Sequence, residues 1–244
     1  MTVSSLPATV VSRVKYSGRH FMARFAPILG ILMLITLPQA AFAAANPGVN
    51  TVVREVQRVY GALDAFQASF TQKLTHRESD SFEMRNGTLQ FKKPLFVRWE
   101  TASPNAELLL INSKGIWNYL PDEKIVYRYA PELDQDSHTL IRVLTGQARL
   151  DRDFSVEEDG TEEGLLRLHL YPLNPTQQMV EAGIWVDPAA YLIKRAVIID
   201  FFGNSNEVIF TTLNTKLKLD EKSFDFMPPK GVVVEDRGKN GSQD

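Results

Sequence analysis

Cysteine is absent from the 244 residues. That excludes disulfides, cysteine–zinc sites and cysteine nucleophiles. Histidine is scarce: four occur, of which His76, His138 and His169 lie beyond the N-terminal segment. None has the H-x-x-x-H spacing of a helical metal pair, and no acidic neighbour completes a ligand set, so no metal is expected. There is no G-x-S-x-G elbow, no phosphate-cradling glycine loop and no dinucleotide fingerprint, so no cofactor and no catalytic residue is expected. Charge of one sign is lacking too. The net charge is -2 and the basic residues form no stripe, which argues against nucleic-acid binding. What remains is an ordinary globular composition, 44% hydrophobic and 23% charged, with 14 Gly and 13 Pro.

Only one apolar run is long, and it lies near the N-terminus. Arg13, Lys15, Arg19 and Arg24 precede Phe25–Ile35, residues 1–43 hold no Asp or Glu, and Ala41-Phe42-Ala43 offers small residues for cleavage. This order describes a secretory signal peptide over 1–43. The run is too short for a membrane span, which needs about 20 apolar residues. Met22 would also serve as the start of a compact signal. The expected organisation is a signal peptide over 1–43, one domain over 44–236 and a disordered tail over 237–244. In an oxidising compartment a domain of that size has core enough to need no disulfide.

The domain opens with a helical period. Val52, Val53, Val56, Val59, Tyr60 and Leu63 recur at three- and four-residue spacing, predicting a helix over Val49–Leu63. The period then falls to two at Phe66, Ala68, Phe70, Gln72 and Leu74, and about ten or eleven strand-like pieces follow. Asn86-Gly87, Lys93-Pro94, Ser103-Pro104, Pro121-Asp122, Asp159-Gly160 and Gly203-Asn204 read as turns between them. One helical interruption is predicted at Asp136–Leu144, with Leu140, Ile141 and Leu144 on one face and Gly146 as its cap. Phe224-Asp225-Phe226 and Val232–Val234 read as short edge pieces. The sum is a strongly bent antiparallel sheet with helices on one face.

Chemistry-bearing clusters are few. Glu157, Glu158, Asp159, Glu162 and Glu163 flank a turn and read as a solvated hairpin rather than a carboxylate pair for glycoside hydrolysis. His169 alternates with Leu168 and Leu170 and reads as a solvent-side strand residue. Apolar surface is abundant instead. The strand-like pieces carry Phe70, Phe91, Phe96, Trp99, Trp117, Tyr119, Trp185, Phe201, Phe202 and Phe210, and several are apolar on both faces. Such a surface fits either a core or a concave pocket for acyl chains.

Several short motifs stand in a characteristic order: Phe66-Gln67-Ala68-Ser69-Phe70-Thr71-Gln72-Lys73, then Gly87-Thr88-Leu89-Gln90-Phe91-Lys92-Lys93-Pro94 leading to Arg98-Trp99. Ser113-Lys114-Gly115-Ile116-Trp117-Asn118-Tyr119 follows, then Gly203-Asn204, Phe210 and Phe224-Asp225-Phe226-Met227-Pro228-Pro229-Lys230-Gly231-Val232. Over residues 50–236 this resembles the periplasmic outer-membrane lipoprotein carrier family, LolA. The resemblance implies a mainly β fold, an incomplete antiparallel barrel of about eleven strands with an N-terminal helix and a mid-chain helical lid. It implies a non-enzymatic periplasmic chaperone that shields the acyl chains of lipoproteins. Its expected partners are acylated lipoproteins, an inner-membrane ATP-driven releasing complex and an outer-membrane lipoprotein receptor. A lipid- or lipoprotein-binding sensor of the same fold is the alternative, and a monomer is expected.

Carried over by position, the resemblance implies a lipid-binding set of Phe70, Phe91, Lys93, Val97, Trp99, Trp117, Tyr119, Leu140, Ile141 and Leu144. The family carries Arg before the Pro where this chain has Lys93, and that Arg helps to hold the lid closed. Lys keeps the charge and loses the planar five-donor fork, so a weaker latch and a more open chain are expected. Leu140 follows Thr139 where the family often has Thr-Pro.

Overall fold

The computed structural model describes residues 48–130 and 139–237. The expected signal peptide, residues 44–47, the first part of the expected mid-chain helix (136–138, with His138) and residues 238–244 lie outside the described residues.

Helix α1, Val49–Ala62, forms where the helical period predicts it. Val52, Val53, Val56 and Tyr60 make its buried face. Twelve strands build one sheet: β1 Ala65–His76, β2 Ser81–Lys92, β3 Phe96–Ser103, β4 Glu107–Asn112, β5 Gly115–Leu120, β6 Ile125–Tyr129, β7 Phe154–Glu162, β8 Leu165–Pro172, β9 Glu181–Val186, β10 Ile193–Ile199, β11 Ser205–Asn214 and β12 Val233–Asp236. Short helices α2, Thr139–Leu144, and α3, Leu150–Asp153, join β6 to β7.

The spatial order is β12-β6-β5-β4-β3-β2-β1-β11-β10-β9-β8-β7. The chain starts at the centre with β1, meanders outward to β6, crosses through α2 and α3 to the far edge at β7, and returns inward to β11. β7 and β12 remain as ends, so the sheet is an incomplete barrel. The expected architecture holds with one strand more and one exception in direction: β12 pairs parallel to β6. Asp236 closes that strand, and Arg237 still donates its backbone N–H to the Arg128 carbonyl at 2.8 Å.

Two turn readings are corrected. Asn86-Gly87 lies inside β2, at a register shift against β3. A Cβ on Gly87 would collide with the Glu100 carbonyl oxygen and stand 2.6 Å from the Phe70 ring, so the glycine serves close approach there. Asp159-Gly160 lies inside β7 at a second register shift. The hairpin turn falls at Glu163-Gly164, whose φ values of 52° and 79° suit a primed turn. Phe224 closes a 3₁₀ turn, Glu221–Phe224, and is not a strand piece.

Strand alternation sorts the side chains cleanly. On the inner face, Phe66, Phe91, Val97, Ile111 and Ile116 lie opposite one another across β1 to β5. Val208, Ala196, Ile184 and Leu168 do the same across β11 to β8. These rows join the buried residues of α1, α2 and α3 in one continuous core.

Candidate functional site

The inner face is the strongest candidate because it is large, continuous and apolar. Phe66 packs on Phe91 with ring centroids 5.4 Å apart, and Phe70 on Trp99 at 4.4 Å. Ala68, Leu89 and Trp99 form the adjoining row, followed by half-buried Leu109, Asn118 and Tyr127. From above, Ile141, Val143 and Leu144 of α2 are buried, while Leu140 is half-buried beside them. Gly146 ends the helix in the left-handed conformation, φ 68°, as the sequence predicts.

The structure therefore brings Phe70, Phe91, Val97, Trp99, Leu140, Ile141 and Leu144 to one interior. It does not bring Trp117 and Tyr119 there. In β5 those two face outward, opposite Leu110 and Val126, whereas Ile116 faces in. Phe226 of the C-terminal segment covers them, with centroids 5.7 Å from each ring. Both faces of β5 are apolar because both are covered, so alternation alone could not tell inside from outside.

Lys93 also departs from expectation. Its ammonium donates to the Gly61 carbonyl at 2.5 Å, at the last turn of α1. Among the described residues its recorded hydrogen-bond partner thus belongs to α1 and not to α2. One residue earlier, the Tyr60 hydroxyl accepts the backbone N–H of Ile193 at 3.2 Å. Tyr60 is wholly buried, and burial pushes its phenol well above the usual range, with the Ile193 bond opposing. The end of α1 is thus pinned to both halves of the sheet. Sequence reasoning placed Tyr60 only on a helix face; its polar tip was the missed signal.

At one end of the interior a pocket of about 320 Å³ opens beside α2. Leu74, Leu140 and Ile198 give it an apolar wall, and Asp200, Asn204 and Asn206 a polar one. Gln72, buried on the inner face, donates to Asn206 Oδ1 at 2.9 Å.

The outer face carries charge instead. Trp185 lies under Arg195, 4.0 Å from the ring centroid, and donates its indole N–H to Glu162 at 2.8 Å. That indole bond, with Arg195 and Arg167 nearby, holds the Glu162 carboxyl below the usual range against desolvation. His169 faces outward as expected, stacked on Tyr171. Among the described residues no group of three or more His, Asp or Glu is placed to hold a metal ion.

The family model described as "Outer membrane lipoprotein carrier protein LolA" matches residues 62–227, from the end of α1 to the C-terminal segment. The outer-membrane lipoprotein carrier protein of Methylococcus capsulatus is 26% identical over 208 residues, 84% of this chain and 97% of its own length. That of Nitrosomonas europaea is 25% identical over 207 residues, 84% and 95%. Among solved structures, an uncharacterized conserved protein from Thermus thermophilus is similar with a TM-score of 0.51 at 15% identity, covering 77% of this chain and 98% of that one. The last likeness concerns the fold alone.

Proposed function

The chain belongs to the outer-membrane lipoprotein carrier family, and from that premise we propose that it carries acylated lipoproteins through the periplasm, from an inner-membrane releasing complex to an outer-membrane acceptor. The observation that carries this reading is the continuous apolar inner face covered by α1, α2 and α3, with a pocket at the edge of α2. A sixteen-carbon acyl chain exposed to water costs about 12 kcal/mol at about 0.8 kcal/mol per methylene. A carrier has to offset much of that cost and still let go. A wall of Phe70, Phe91, Val97 and Trp99 supplies the apolar contact, and displacement of α2 supplies access, because local opening costs less than global unfolding.

Displacement of Leu140, Ile141 and Leu144 from the sheet would extend the pocket along the apolar inner face. Lys93 acts in this scheme as a clip on α1, the fixed cover, leaving α2 as the mobile one. Family membership supports a carrier or chaperone role.

The test uses the exported protein and spheroplasts holding a labelled lipoprotein with a competent releasing complex. The expected result is acyl-dependent release of the lipoprotein as a one-to-one soluble complex, with no release of an unacylated control. Failure to release would favour a lipid- or lipoprotein-sensing role on the same fold.

A further inference from the structure

The pocket opens on an end of the sheet built from hairpin tips, and that end carries the most exposed aromatic rings among the described residues. Phe201 and Phe202, at the tip between β10 and β11, are each 68% exposed, and Phe82 at the start of β2 is 63% exposed. The two phenyl rings at the tip pack edge to face with centroids 5.6 Å apart. The sequence pattern places Phe201 and Phe202 in a strand; the structure places them in the turn beyond it.

The tip is held firmly. Asp200 Oδ1 accepts the backbone N–H groups of Phe202 at 2.9 Å and Asn204 at 2.8 Å, and its Oδ2 accepts the Asn204 side-chain amide at 2.8 Å. Asn204 Oδ1 in turn accepts the Arg77 backbone N–H at 3.1 Å, tying the tip to the β1–β2 turn. Asp200 and Asn204 also line the pocket, so the exposed rings and the pocket mouth share one rigid rim. Elsewhere the fold buries its phenylalanines, including Phe66, Phe70, Phe91, Phe154, Phe210 and Phe224. Three rings left in water on one rim form a projecting apolar edge.

We propose that this rim is a membrane-contact surface, which seats Phe201, Phe202 and Phe82 at the headgroup–acyl boundary of a phospholipid bilayer and presents the pocket mouth to it. The inference rests on the carrier reading, since an acyl chain that leaves or enters a bilayer beside the pocket has the shortest path through water. Aromatic rings suit that boundary. The charges near the rim give no cationic excess: Lys73, which lies 4.9 Å over the Phe82 ring, and Arg77 stand against Glu78, Asp80 and Asp200. Contact therefore depends on the rings rather than on anionic lipid. It is weak and reversible, as a protein that visits two membranes requires.

The experiment is vesicle flotation of the exported protein with neutral phosphatidylcholine vesicles and with mixed phosphatidylethanolamine–phosphatidylglycerol vesicles, at low and high salt. The expected result is flotation with both, little changed by salt. Replacing both tip rings, Phe201→Ser with Phe202→Ser, lowers the vesicle-bound fraction about tenfold with an unchanged melting temperature, because the removed rings are exposed. A Phe202→Trp variant shows blue-shifted emission that brominated lipids quench, beyond any change in the wild type. The inference is overturned if the double variant floats as well as the wild type, if the new tryptophan ignores vesicles, or if the double variant instead dissociates a lipid-free oligomer. Titration with a soluble fluorescent acylated peptide keeps the two readings apart. Peptide binding without vesicle binding removes the rim and leaves the carrier; vesicle contact without peptide binding supports the rim and removes the carrier.

Discussion

Tyr60 shows how one polar atom fixes a helix inside an apolar interior. Its hydroxyl is the acceptor for the buried Ile193 N–H, and its ring lies against Gly146, where a Cβ would collide with it. Tyr60→Phe keeps the ring and strands that N–H, so urea unfolding at neutral pH should lose about 1–3 kcal/mol. The pH dependence has a defined sign. Burial raises the folded-state pKa above the unfolded value of about 10, so the native state holds its proton more tightly. The Tyr60 contribution is complete below about pH 10 and declines as pH rises further, when only the unfolded phenol ionises. The stability gap between wild type and Tyr60→Phe should hold from neutral pH to about pH 10 and narrow beyond it. A gap that stays constant in more alkaline urea titrations would refute this assignment. The two tryptophans on β3 and β5 make a second contrast at this scale. Trp99 faces the interior and Trp117 the C-terminal segment. Trp99→Leu should weaken acylated-peptide binding several-fold, while Trp117→Leu should leave it unchanged. Equal losses in fluorescence titration would mean that strand parity does not decide which ring meets cargo.

Among the elements, α1 and β1 were legible because one uniform period ran through each. Val52, Val56 and Tyr60 repeat on a helix face, and Phe66, Ala68 and Phe70 alternate along a strand buried on one side. β5 was not legible in the same way: Ile116 and Trp117 are both apolar and both have cover. Asp159-Gly160 misled because the same residue types serve a bulge and a turn, and the distinction lies in the partner strand. The candidate interior could be read in type from the sequence, while the pinning of α1 by Tyr60 and Lys93 could not, since its partners, Ile193 and Gly61, are backbone groups remote from each in sequence. That pinning has a consequence for motion. α1 is held at its end by hydrogen bonds to Lys93 and Ile193, whereas α2 lies on β10 through the aliphatic side chains of Ile141, Val143 and Leu144. In this cysteine-free chain Ile141→Cys gives a clean probe. The buried thiol should alkylate slowly in the free protein and about tenfold faster when an acylated peptide is bound. A rate unaffected by the peptide would place entry elsewhere than beneath α2.

Taken as one molecule, the sheet is supported unequally on its two sides. β7 to β11 have an outer face covered by their own ion pairs around Trp185, such as Arg195 with Glu162 at 3.1 Å. β3 to β6 instead depend on the end of the chain. Phe224 is fully buried against Phe96, with centroids 5.6 Å apart, and its carbonyl accepts the Asn112 side-chain amide at 2.8 Å. Arg98 donates to the Ser223 carbonyl at 3.3 Å, and Arg128 holds Asp236 at 2.9 Å, where β12 pairs with β6. These contacts each span more than a hundred residues. Phe224→Ala removes the anchor and should cost about 3–5 kcal/mol by thermal or urea unfolding. The loss should not be uniform. Amide exchange should quicken most in β3 to β6, while β8 to β10 stay protected, because the contacts of Ser223, Phe224, Phe226 and Asp236 described above fall on β3 to β6. Equal acceleration in all strands would instead mean that the twelve strands open as one cooperative unit. In that case release of cargo by local movement would depend on α2 alone, with no contribution from loosening of the β12 side.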